Sequence, residues 1–190
     1  ALYNIASVLQ KQAGDSRVLV LARLALYLRP DMDGAKVVIA ATLEANQRYA
    51  DANAIYANIP QSSPLSWSAR MHTADNLDRL DQTDDAVKLL RTLARERPQR
   101  ETPLIELGGI LRRHERFKEA AEAYTDALKR IDKIEPHHWV VYYARGVSYE
   151  QTDRWPQAEA DFLKALEFDS EQPTTLNYLG YLWIDKGHNL

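Results

Sequence analysis

The stretch RWPQAEADFLKALEFDS, residues 154–170, places Ala158, Phe162 and Ala165 at steps of four and three. Apolar residues at that spacing share one face of an α-helix. Small residues on such a face let another backbone lie close against it. The same triplet occurs upstream as Ala120, Tyr124 and Ala127 in RFKEAAEAYTDALKR, then as Ala86, Leu90 and Leu93 in QTDDAVKLLRTLARERP. It occurs again as Ala52, Tyr56 and Ile59 in RYADANAIYANIP, and as Val18, Ala22 and Ala25 in SRVLVLARLALYLRP. Moving upstream, the first step is 38 residues and each later one is 34. A fixed period of this size means an array of repeated supersecondary units, and it decides the fold before any local reading does.

The segments preceding these stripes also align: LYNIASVL, KVVIAATL, RMHTADNL, LIELGGIL, YYARGVSY and LNYLGYLW. In each, a small residue (Ala6, Ala40, Ala74, Gly108, Gly146, Gly180) stands three before a large one (Leu9, Leu43, Leu77, Leu111, Tyr149, Trp183). Each unit is therefore a helix, a short polar turn and a second helix. Pro30, Pro64 and Pro98 recur every 34 residues and end the second helices, since proline lacks an amide hydrogen and biases its predecessor away from helix. Pro136 follows after 38, and the four extra residues around KRIDKIEP predict a second helix lengthened by one turn. Pro60 predicts an earlier stop near Ile59, with PQSSPLS as a loop.

Bulk properties exclude several classes. The 190 residues are 45% hydrophobic and 27% charged with a net charge of -3, the signs interspersed, so no global attraction to nucleic acid or anionic lipid exists. No apolar run is long enough to cross a membrane, and ALYNIASVLQ has no signal-peptide pattern. Without cysteine, disulfide and thiolate chemistry are ruled out.

The array resembles the tetratricopeptide repeat, a helix-turn-helix of roughly 34 residues with fixed small, aromatic and proline positions. The resemblance covers repeats 1–32, 33–66, 67–100, 101–138, 139–172 and a half repeat 173–190. Arg145 stands where leucine is usual, Ser170 where proline is usual, and Thr73-Ala74 where Leu-Gly is usual. The expected fold is all-α, a right-handed α-solenoid of five helix pairs plus one terminal helix, as a single domain. NIPQSSPLSW, LIELGGILRRHERFKEAAEAY and LNYLGYLWIDKG together also resemble tetratricopeptide proteins of the bacterial cell envelope. That second resemblance implies the periplasm or its membrane face, with the cytoplasm as the alternative.

Catalysis requires a nucleophile, base or paired carboxylates that converge. Asp84-Asp85 and Glu119 sit at helix starts, where they complement the helix dipole, and no phosphate-loop, zinc-hydrolase or serine-hydrolase motif occurs. His137 and His138 are adjacent, with no histidine or cysteine three or four residues on, so they read as a polar inter-repeat loop. His72, His114 and His188 read as single residues on polar faces. The reading is therefore non-enzymatic, with no cofactor and no metal. The basic stretch Arg91 to Lys118 is interleaved with Glu96, Glu101, Glu106, Glu115 and Glu119, which favours a solvated face over an RNA surface.

The family resemblance implies that the first helix of each unit lines a concave side where partner segments bind. By register the inward positions are Val37, Ala41, Met71, Asp75, Arg79, Ile105, Gly109, Arg112, Arg113, Tyr143, Val147, Glu150, Asn177 and Tyr181. The partner-binding residues singled out are Met71, Asp75, Arg79, Ile105, Arg112, Arg113, Tyr143, Glu150, Asn177 and Tyr181. The Lys/Asn clamp that some relatives use for a carboxylate terminus is absent, because Met71/Asp75, Ile105/Gly109 and Tyr143/Val147 hold those positions. The expected function is a scaffold binding another protein segment, with Arg79, Arg112 and Arg113 meeting acidic groups and Tyr143 and Tyr181 as apolar anchors. Alternatives are a regulatory module of a longer enzyme and an RNA-binding repeat. TTLNYLGYLWIDKGHNL holds a first helix and a turn at Lys186-Gly187, predicting a fragment cut within its sixth repeat. Leu176, Leu179 and Trp183 would then lack their cover, and self-association through Tyr178 or Trp183 is expected.

Overall fold

A computed structural model describes residues 16–186. These hold ten α-helices and no strand: α1 (Ser16–Leu28), α2 (Asp33–Ala45), α3 (Tyr49–Tyr56), α4 (Ser66–Arg79), α5 (Thr83–Glu96), α6 (Thr102–Arg113), α7 (Phe117–Lys129), α8 (Trp139–Glu150), α9 (Trp155–Phe168) and α10 (Pro173–Lys186). A single 3-10 turn, Pro136–His138, precedes α8. The pairs α2/α3, α4/α5, α6/α7 and α8/α9 are the expected helix-turn-helix units, so the architecture is an α-solenoid of such repeats. α1 corresponds to the second helix of the first repeat; the helix predicted before it, and His188, lie outside the described residues.

The five second-helix stripes behave as the spacing requires. Val18, Ala22 and Ala25, then Ala52, Tyr56 and Ile59, Ala86, Leu90 and Leu93, Ala120, Tyr124 and Ala127, and Ala158, Phe162 and Ala165 are all buried. Burying such side chains removes apolar surface from water at roughly 25 cal/mol per Å². Two glycines of the first helices take these side chains directly. A Cβ on Gly108 would lie 2.6 Å from Tyr124 Cε1, and one on Gly146 would lie 2.8 Å from Phe162 Cε1. Each ring therefore rests on bare helix backbone.

The turn inside each of the four described helix pairs has a fixed construction. Gln47, Asp81, Glu115 and Asp153 adopt left-handed backbone, with φ of 58–59°. The amide after each one donates back across the turn, Arg48 to Leu43 O, Gln82 to Leu77 O, Arg116 to Leu111 O and Arg154 to Tyr149 O, at 2.8–2.9 Å. This arrangement satisfies carbonyls that a helix end leaves without partners.

The chain divides into two compact units, residues 1–89 and 90–190. In the first, Val18, Ala22, Val38, Ile39, Leu43, Ala52, Tyr56 and Ala69 form the core. A polar junction ties α4 to α2 and α3: the buried Asn76 amide donates to Glu44 Oε1 at 2.8 Å and to Asn53 Oδ1 at 2.9 Å. Tyr56 donates to Glu44 Oε2 at 3.3 Å, and its ring stacks on His72 at 5.5 Å. Burial, with the Glu44 charge adding to it, pushes the Tyr56 hydroxyl far above its ordinary value. His72 is thus packed on an aromatic partner instead of standing alone on a polar face.

In the second unit Ala121, Val147, Tyr149, Ala158, Phe162, Leu179 and Leu182 form the core. Arg145, at the position where leucine is usual, is a built-in exception. Its guanidinium donates to both Asp161 oxygens at 2.7 Å and to Thr125 Oγ1 at 3.2 Å, joining α7, α8 and α9. Its Cζ lies 5.7 Å from the Tyr142 ring centroid and 5.6 Å from that of Tyr149. Burial opposes the charge on Arg145, but its bonds to Asp161 outweigh that and hold the guanidinium above its ordinary value.

The four extra residues of the fourth repeat correct the expectation of a longer second helix. α7 has 13 residues and stops at Lys129. Arg130, at its C-cap, donates Nη1 to Ala94 O at 2.9 Å and to Arg100 O at 3.1 Å, turning the chain out of the helix. The connection runs to the 3-10 turn, where the buried His138 ring accepts the Glu135 amide through Nδ1 at 2.8 Å. His138 is therefore a capping residue and not part of a polar loop.

Candidate functional site

Met71, Asp75 and Arg79 lie on α4, in the first unit. Arg79 Nε donates to Asp75 Oδ2 at 2.7 Å, and the guanidinium lies over the Tyr49 ring, 5.5 Å from its centroid. That bond to Asp75 raises the Arg79 guanidinium above its ordinary value. The two side chains neutralise one another across one helical turn, and the pair is half exposed. Arg79 is thus already engaged where the sequence predicts a free cation for an acidic partner.

The other candidates belong to the second unit. Ile105, Arg112 and Arg113 are on α6. Burial pushes the Tyr124 hydroxyl upward, and the nearby Arg112 guanidinium pulls it back. Arg112 Nε is buried without a hydrogen-bond partner among the described residues. Gly109, one turn before Arg113, leaves an opening: a Cβ there would come no closer than 3.9 Å to Arg113 Nη1 and 4.0 Å to the Tyr124 hydroxyl.

Tyr143 of α8 lies half buried, edge-on to Tyr178 of α10, with ring centroids 5.7 Å apart at 80°. Burial raises its hydroxyl above the ordinary value, and the Arg112 charge acts in the opposite direction. Arg112 and Tyr143 are therefore within electrostatic reach. Tyr178 also packs on Phe162 at 5.8 Å, so it is a core contact rather than a free surface ring. Trp183 likewise is half buried and donates Nε1 to Glu159 Oε1 at 2.7 Å. The exposed apolar side chains of α10 are Leu176, Tyr181 and Ile184. Leu179 is buried, so the stripe expected to stay wet does so only in part.

Glu150, Asn177 and Tyr181 converge. With Trp155, Tyr178 and Leu182 they line a cavity of about 520 Å³ among α8, α9 and α10. That volume lies within the roughly 300–1,000 Å³ of ligand clefts. First-helix register identifies three of these six residues. Tyr178 appears there as a self-association residue, while Trp155 and Leu182 are absent. Trp155 enters from the start of α9, a second helix, which a reading confined to first helices passes over; its signal was a tryptophan directly before Pro156 at a helix start. Among the described residues no group of three or more His, Cys, Asp or Glu side chains is arranged to hold a metal ion.

The tetratricopeptide repeat family matches residues 105–173. A comparison with curated proteins finds no sequence match. Solved structures do match. YrrB, described as a tetratricopeptide protein with an unusual peptide-binding site, superposes at a TM-score of 0.69 with 17% identity, covering 93% of this chain and 89% of its own. MamA from Desulfovibrio magneticus gives 0.73 and 17%, covering 90% of this chain and 96% of its own. The C-terminal part of a repeat-containing protein from Cytophaga hutchinsonii gives 0.77 and 13%, covering 95% of this chain and 69% of its own. At these identities the likeness shows the fold. Residues 105–173 carry the tetratricopeptide repeat pattern, and the helix pairs on their N-terminal side have the same helix-turn-helix arrangement.

Proposed function

We propose that the chain is a non-enzymatic scaffold that binds a segment of another protein on the first-helix face of α6, α8 and α10. One observation carries this: Glu150, Asn177 and Tyr181, on two successive first helices, line a single cavity. Tetratricopeptide repeats are generally protein-interaction modules, and the similar YrrB is described as having a peptide-binding site. Arg112, whose charge reaches Tyr143, and its neighbour Arg113 supply positive charge for an acidic part of the partner. The bacterial cell envelope is the setting we infer from the wording shared with envelope-associated relatives, and fractionation of the native cells tests it.

Panning a displayed library of twelve-residue peptides tests the binding reading. The wild-type chain should enrich peptides that lose binding to the Arg112→Glu/Arg113→Glu variant, with the helical circular dichroism unchanged. Enriched peptides that bind this variant equally well would place recognition elsewhere. A second contact, between copies of the chain, is favoured by the uncovered face of α10: Leu176 is 46% and Ile184 66% exposed, and a Cβ on Gly180 would meet nothing within 4 Å. Sedimentation of a Leu176→Lys/Ile184→Lys variant, which should lose any dimer, checks it.

A further inference from the structure

We infer that the cavity among α8, α9 and α10 receives a cationic side chain, arginine in preference to lysine, from the bound protein segment. This deepens the binding reading above and rests on it. Among the described lining residues Glu150 carries the only charge. Gln151 donates to its Oε2 at 2.6 Å. Three of the other five are aromatic: Trp155, Tyr178 and Tyr181. The faces of such rings are electronegative and attract cations, the more strongly when water is excluded.

Two of the rings are held in place. Tyr178 is wedged against Tyr143 and Phe162, and Trp155 packs on the same core cluster. Tyr181 is 66% exposed and forms the open side. An anion here would meet a carboxylate and ring faces, both repulsive. An apolar side chain would cover Glu150 and strip its water without replacing the lost hydrogen bonds, a costly burial. A guanidinium satisfies both features at once, bonding the carboxylate through its planar fork while stacking on rings. The same unit already builds this arrangement for a residue of its own: Arg145 is held by Asp161 and lies over Tyr142 and Tyr149. The cavity repeats that carboxylate-and-ring chemistry with no arginine of its own among the lining residues.

Three pentapeptides at millimolar concentration test this on the whole chain: acetyl-Gly-Gly-X-Gly-Gly-amide with arginine, glutamate or norleucine at X. The readout is the nitrogen–proton correlation spectrum, in particular the Trp155 indole and the Asn177 side-chain amide. The arginine peptide should shift both signals. Its affinity should fall about fivefold or more in Glu150→Gln, and about threefold in Tyr181→Ala, a change at an exposed ring that leaves the core intact. Shifts of equal size with glutamate or norleucine, or unchanged affinity in both variants, would overturn the cationic assignment while leaving the binding face standing. If none of the three peptides moves any signal from α6, α8 or α10, the binding face itself fails, and the inference with it.

Discussion

Adding one methyl group at two structurally equivalent glycines should have opposite effects. In Gly108→Ala the new Cβ falls 2.6, 2.7 and 2.8 Å from three Tyr124 ring atoms, short of ordinary contact by about 0.8 Å at the closest. Tyr124 has nowhere easy to go, being 3% exposed with its hydroxyl near the Arg112 guanidinium. Overpacking of this kind costs about 1–3 kcal/mol, and the upper half of that range applies to a pinned ring. Helix propensity returns about 1 kcal/mol, because alanine loses less backbone entropy than glycine. The net is a loss of about 1–2 kcal/mol. In Gly180→Ala nothing lies within 4 Å, so only the propensity gain of about 1 kcal/mol remains. For a chain of this size each kcal/mol moves the melting temperature by roughly 2–4 °C. Thermal melts followed at 222 nm should therefore show Gly108→Ala melting lower than wild type and Gly180→Ala slightly higher. If the two variants move in the same direction, Tyr124 does not sit on the α6 backbone as described.

Arg145→Leu restores the usual residue yet should destabilise by about 3–5 kcal/mol, since it leaves Asp161 buried and unpaired; adding Asp161→Asn should recover much of this, and urea titrations of the double-mutant cycle measure the coupling. Glu115→Gly should stabilise by about 1 kcal/mol, as glycine takes left-handed backbone without steric cost, which a melt detects. Arg116, then Arg91, hold the Glu119 carboxyl below the ordinary glutamate value. The sign follows: the contribution is present above that ordinary value and is lost as pH falls through the lowered one. A carboxyl-carbon titration should place the Glu119 midpoint below that of an ordinary exposed glutamate, and Arg116→Ala should move it back up.

What the sequence made legible were contacts governed by spacing. The steps of four and three put all five second-helix stripes in the core, and Gly108 and Gly146 mark where aromatic rings reach backbone. What it hid depends on particular side-chain geometry. Four extra residues could extend a helix or a connection with equal ease; the outcome turned on Arg130 reaching two carbonyls and His138 accepting an amide. Gln47, Asp81, Glu115 and Asp153 carry no glycine or asparagine signal for left-handed backbone, because the hydrogen bonds across each turn impose it. At the candidate site, register brought Glu150, Asn177 and Tyr181 together but could not reveal that Arg79 is neutralised by Asp75.

The burial of the Arg145–Asp161 pair has a consequence for how the protein responds to ionic strength. Its two side chains are 17% and 7% exposed, so dissolved ions cannot come between them. Pairs at the surface such as Arg48–Asp51 and Lys129–Asp126 are open to screening, and so is any partner charge docked beside Arg113 or Glu150. Raising salt from about 0.1 M to 1 M shortens the screening length from about 10 Å to about 3 Å. Such a step would screen any charged segment on the proposed binding face while the Arg145–Asp161 pair between α8 and α9 stays in place. If a partner segment docks there as proposed, changing salt alone would load and unload it without loosening this junction.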